Sequence, residues 1–139
     1  MAVTYHTEAC TLRFGNRREV NRWIAKTIAT EGRKRGDISV IFCSDEYLLD
    51  MNRKHLEHDY YTDIITFDYS DGDWVSGDLF ISIDTVRNNA QEYGTGFWQE
   101  LYRVIIHGVL HLCGYKDKSP EEEKCMHSKE DFYLNLLSI

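Results

Sequence analysis

His107 and His111 stand four residues apart, so on a helix both imidazoles stack on one face within reach of a single metal ion. Gly114 breaks that helix one turn later, which lets the chain double back and bring Asp117 to the same point. Two imidazoles and a carboxylate give three protein ligands and leave a fourth position open, the arrangement of a catalytic rather than a structural zinc site. The alternative for Asp117 is a solvated turn residue between Lys116 and Lys118. Zinc proteases of the H-E-x-x-H type carry their general base beside the first histidine. This chain has Gly108 there, so that base is missing. Glycine at 108 allows close backbone approach, for tight packing or for a substrate strand passing near the metal.

The helix that must carry the histidines is predicted from Phe97 to Cys113 and is apolar at nearly every position except Glu100, Arg103, His107 and His111. At 100° per residue these four fall within an arc of about 80°. So narrow a polar stripe points to a buried helix lining a cleft. Arg103, one turn before His107, is placed to steady a phosphate or a transition-state charge, or else to pair with Glu100 three residues earlier.

The remaining pattern supplies a frame for that helix. Val20, Trp23, Ile24 and Ile28 predict an amphipathic helix over about 18–31, ended near Gly32. Val3 to Phe14 is weakly strand-like, and Ile38 to Cys43 reads as a strand followed by a helix from Asp45 to about His55, with Ser44 as its N-cap. Ile64 to Phe67 and Leu79 to Ile83 read as an antiparallel pair across the turn-rich stretch Ser70 to Gly77. Asp84 is expected to cap a helix from Thr85 to Tyr93, and Ser119, Pro120 and Glu122 to open a last helix reaching about Leu136.

A chain of 139 residues with 42% hydrophobic and 13% aromatic content fits a single folded domain over 1–139. No apolar run approaches a membrane span and no signal-peptide profile opens the chain, so the expected location is cytoplasmic, without a membrane partner. Cys10, Cys43, Cys113 and Cys125 form no C-x-x-C pair and are expected to be buried thiols in a reducing compartment. The net charge of −7 hides an asymmetry: residues 1–35 sum to +5 and the rest to −12. Arg17, Arg18 and Arg22 belong to a basic segment that suits phosphates, or forms an ordinary solvated helix face.

The string His107-Gly-Val-Leu-His-Leu-Cys-Gly-Tyr115 followed by Asp117, with Gly77-Asp78-Leu-Phe-Ile-Ser82 and Asp59-x-x-Thr62-Asp63-Ile-Ile-Thr-Phe67 upstream, resembles the bacterial YbeY family of metal-dependent endoribonucleases. The likeness runs through about residues 38–131 in consistent order. It implies an α+β fold, a small mixed sheet packed with helices around a central metal-binding helix, of zincin-like metal-hydrolase architecture. It also implies hydrolysis of single-stranded RNA in ribosomal RNA maturation and ribosome quality control, with one zinc per chain and the small ribosomal subunit as partner. The family pattern is H-G-x-L-H-L-x-G-Y-D-H, with three histidines on zinc. Here Asp117 occupies the third histidine position and Lys116 the aspartate, a harder ligand set that also suits manganese or another divalent metal. Leu56 stands four residues after Asn52, where the family has an arginine. Two other readings share the metal site: a hydrolase of a peptide or small ester, with Glu100 as base, and a ribosome-associated module with a structural metal and little nuclease activity.

Overall fold

A computed structural model describes residues 2–56 and 61–139, so Asp59 and the histidine and tyrosine on either side of it, His58 and Tyr60, lie outside the described residues. The elements run β1 (Val3–Glu8), α1 (Arg17–Thr30), β2 (Lys34–Cys43), α2 (Asp45–Leu56), β3 (Ile64–Asp68), β4 (Trp74–Ser82), α3 (Ile83–Tyr93), α4 (Phe97–Leu112) and α5 (Pro120–Leu134). The sheet order is β1-β2-β4-β3, with β1 and β4 parallel to β2 and β3 antiparallel to β4. This is the mixed α+β arrangement expected. No helix among the described residues is long and apolar enough to cross a membrane.

β2 is apolar in nearly every position from Ile38 because both its faces are covered. Ile38, Val40 and Phe42 join Leu79 and Ile81 in the main core under α1 and α4, while Cys43 joins Leu48 of α2 and Ile65 in a smaller cluster with Phe80. The period-two alternation of a strand thus sorts neighbouring residues into two separate cores.

α4 is the centre of the main core. Leu101, Val104, Ile105, Ile106, Val109, Leu110 and Leu112 are all buried, each worth about 1.5–3 kcal/mol of transfer free energy. Two glycines let this helix approach the sheet closely. A Cβ on Gly108 would lie 2.7 Å from Ile64 Cδ1 and 2.9 Å from Leu79 Cδ2; one on Gly77 of β4 would lie 2.4 Å from the Phe67 carbonyl and 2.7 Å from Leu112 Cδ2. Of the two uses foreseen for Gly108, the structure shows packing.

Several local expectations need correction. β1 stops at Glu8, short of Phe14, and β4 begins at Trp74, inside the stretch read as a turn. Asp84 does not cap α3. Ser82 does so, accepting from the Thr85 N–H at 3.1 Å, whereas Asp84 Oδ2 accepts from the Asp45 N–H at 3.0 Å and so caps α2 across the sheet. Of the cysteines, Cys43 is buried, Cys10 and Cys113 are half-buried and Cys125 is exposed. Cys125 precedes Met126, the residue of that turn which faces the core.

Gly77→Ala is expected to lower stability by about 1–3 kcal/mol because the added methyl meets a backbone carbonyl that cannot turn aside. Gly108→Ala should cost less, since it meets only side-chain tips and gains helix propensity. Urea unfolding of both variants checks the order.

Candidate metal centre

α4 ends where its sequence says it must. Gly114 adopts φ +108°, open to glycine and strained for other residues. Its N–H donates to the His111 carbonyl at 3.0 Å and that of Tyr115 donates to Leu110 at 3.1 Å, which closes the helix and turns the chain back. The returning segment brings Asp117 beside the two histidines, and Ser119 then opens α5 with a reciprocal capping box to Glu122.

The ligand atoms converge. His107 Nε2 and His111 Nε2 are 3.0 Å apart, and Asp117 Oδ2 lies 3.2 Å from the first and 3.3 Å from the second. Tetrahedral zinc at its usual bond lengths separates its ligand atoms by about 3.3 Å. The donor set therefore fits a divalent ion, and among the described residues it is the one set of three or more His, Cys, Asp or Glu so disposed.

Each histidine has its other nitrogen engaged. The His111 Nδ1–H donates to the Tyr115 carbonyl at 2.9 Å, and the His107 Nδ1–H to Glu130 Oε2 at 2.6 Å. Both contacts fix the tautomer that leaves the Nε2 lone pair at the metal position. Glu130 is 2% exposed. Burial pushes its carboxyl pKa up, but hydrogen bonds from His107 and Arg103 outweigh this and hold it below the ordinary carboxylate value. Burial likewise opposes charge on His107, yet Glu130, Asp63 and Asp117 together raise its pKa.

Glu130 escaped the sequence reading, although a signal was there. Met126 and Tyr133 are the buried apolar residues of α5, and Glu130 falls at i+4 from the first and i−3 from the second. A carboxylate on the core face of a helix needs a partner across the interface.

Arg103 lies one turn from His107, as expected, but reaches α5 rather than Glu100. Nη1 is 2.9 Å from Glu130 Oε1 and Nη2 is 2.6 Å from Asp131 Oδ1. Two cavities meet at His107 and Asp63. One, about 680 Å³, holds the ligand triad together with Asn52, Leu56, Thr66 and Lys118; the other, about 560 Å³, is bordered by Glu100, Arg103, Asn89 and Tyr93. None of the basic side chains of residues 1–35 lines either cavity. Arg17 donates to the Phe14 carbonyl and Arg33 to those of Cys113 and Gly72.

A family model described as Endoribonuclease YbeY matches residues 3–138. The chain belongs to this family. The Endoribonuclease YbeY of Bacteroides thetaiotaomicron is 54% identical over 131 residues, spanning 94% of this chain and 96% of that protein. Its counterpart in Parabacteroides distasonis is 53% identical over 137 residues, spanning 99% and 96%. A Thermotoga maritima protein solved in solution shares the fold, with a TM-score of 0.69 over 98% of this chain and 89% of that one at 24% identity. The YbeY-like resemblance drawn from three short blocks thus extends over almost the whole chain.

His111→Ala is expected to abolish stoichiometric metal, Asp117→Asn to weaken metal binding, and Lys118→Ala to leave it intact. Glu130→Gln should retain metal with an affinity about 10–100-fold weaker. Elemental analysis and chelator competition on the four variants distinguish these outcomes.

Proposed function

We propose that the protein is a single-strand-specific, zinc-dependent endoribonuclease that acts in ribosomal RNA maturation, in the cytoplasm and with the small ribosomal subunit as partner. The observation that carries this reading is the convergence of His107, His111 and Asp117 on one point at the wall of an open cleft. Those three residues would hold the ion. Bound there, a divalent metal supplies Lewis acidity toward a phosphate oxygen and makes nearby water more acidic.

The chain's own groups do the rest. Glu130 orients His107, and Arg103, held by two carboxylates, supports a positioning role for its guanidinium in preference to direct phosphate contact. Asp63 borders both cavities, and burial raises its carboxyl pKa, which favours proton uptake from an attacking water. Thr62 and Thr66 place hydroxyl groups along the cleft wall. Lys118 is the cation that lines this cleft among the described residues. Leu56 also faces the cleft, where it presents apolar surface in place of the family's arginine, and neighbouring Lys54 is drawn to Asp50 at 2.9 Å.

Asp63, Asp68 and Asp117 make the cleft acidic, so RNA phosphates enter favourably only when the ion offsets that charge. The exposed Arg18, Arg22 and Lys26 of α1 lie apart from the cleft and suit a structured RNA such as a ribosomal subunit.

Chelation is expected to remove cleavage of single-stranded RNA and to weaken RNA binding, with both restored by one equivalent of zinc. Lys118→Ala should weaken RNA binding and reduce the salt slope by about one phosphate contact without loss of metal. A slope unchanged in that variant but reduced on neutralising Arg17, Arg18 and Arg22 would place the strand on α1.

A further inference from the structure

Glu100 is 6% exposed, yet its carboxylate has no hydrogen bond or ion pair among the described residues. Its oxygens are not closed off from solvent, and the side chain lines the cavity of about 560 Å³ that adjoins the metal cleft. The other carboxylates bordering that cavity are engaged. Glu130 and Asp131 share Arg103, and Asp63 accepts from backbone N–H groups of its own turn. Arg103 acts on Glu100 only through its field. Among the carboxylates that line this cavity Glu100 is therefore the unengaged one, with two acceptor oxygens side by side.

We propose that this cavity is a nucleobase subsite and that Glu100 reads guanine, the base whose Watson–Crick edge offers two adjacent N–H donors. This rests on the endoribonuclease reading above. The cavity has the size of a small-molecule site, and its excess of carboxylates repels a phosphate while admitting a neutral group rich in donors. Val104 supplies an apolar wall, and Tyr93, 63% exposed at the border, supplies a ring for stacking. A metal ion is disfavoured as occupant, because among the described residues Glu100 belongs to no set of three or more converging ligand atoms. His107 and Asp63 border both cavities, so a base seated on Glu100 belongs to a nucleotide next to the phosphate at the metal centre. Unstacked single-stranded bases expose the edge such a site requires.

The test uses the full-length, metal-loaded protein and short single-stranded RNAs that carry one guanine, inosine or adenine in an otherwise uniform sequence. Inosine lacks only the exocyclic amine. Cleavage is expected beside guanine, with kcat/KM about tenfold above inosine or adenine at the same position, and Glu100→Gln should erase that difference while metal content and Tm stay unchanged. Preference kept in Glu100→Gln, or equal cleavage of the three RNAs, overturns the subsite while leaving the nuclease reading intact. In parallel, guanosine and inosine are titrated into the wild-type protein and followed by NMR. Shifts around Val104 and Tyr93 that are stronger for guanosine uphold the subsite, even if no RNA is cut or the variant fails to fold. No response to guanosine in that case overturns it.

Discussion

A buried, ionised Glu130 is the constraint on which the metal centre depends. At 2% exposure its carboxylate has left water, and the Arg103 and His107 hydrogen bonds offset that loss. Both partners sit on α4, one turn apart, so satisfying Glu130 fixes the rotation of α5 against α4 as well as the ring plane of His107. Removing one partner of such a pair costs about 3–5 kcal/mol. The same contact thus stabilises the helix packing and selects the His107 tautomer that leaves Nε2 free. Structure and chemistry share one hydrogen-bonded unit.

A second carboxylate secures the far side of the site. Glu31, just past α1, accepts from Tyr115 Oη at 2.6 Å and from Tyr133 Oη, with Lys129 Nζ 3.6 Å away. Trp23 of α1 adds a 2.7 Å bond from Nε1 to the Tyr133 carbonyl. Tyr115 is the residue whose carbonyl receives His111 Nδ1–H. α1 therefore holds the loop that orients one histidine and leads to Asp117, although none of its residues borders the cleft. The short Gly114 to Ser119 connection is fixed at one end by the close of α4 and by Glu31 through Tyr115, and at the other end by the α5 capping box. Hydrogen bonds to its tyrosine and helix ends set the position of Asp117.

What could be read in the sequence and what could not follows from the range of each interaction. The helix of His107 and His111, its break at Gly114 and the Ser119 capping box depend on residues a turn apart, and all three stood in the pattern. The partners of Arg103 did not, because Glu130 and Asp131 lie 27 and 28 residues away and only the α4–α5 packing brings them near. Asp84 misled for the same reason: it stands inside the first turn of α3, and the N–H it serves belongs to Asp45, 39 residues earlier. The polar stripe of α4 was right as an arc. That it borders two cavities, with Glu100 and Arg103 on one and His111 on the other, depended on how β3 and α5 cover the helix.

With Asp117 as its third ligand, a bound ion would differ in character from one held by three histidines. Three neutral imidazoles leave the full double charge of a divalent ion uncompensated, whereas two imidazoles and a carboxylate leave a net single positive charge. A less positive ion acidifies water less and draws phosphate less strongly. Asp63 and Asp68 in the same cleft push further in that direction, and Leu56 contributes no countercharge. An ion held there would depend more on geometry, on the orientation imposed through Glu130 and Tyr115, than on bare charge. A strand would be held beside such an ion more by contacts to its bases and sugars than by its phosphates, and the cavity that adjoins the metal cleft at His107 carries an unengaged carboxylate, Glu100, suited to such contacts.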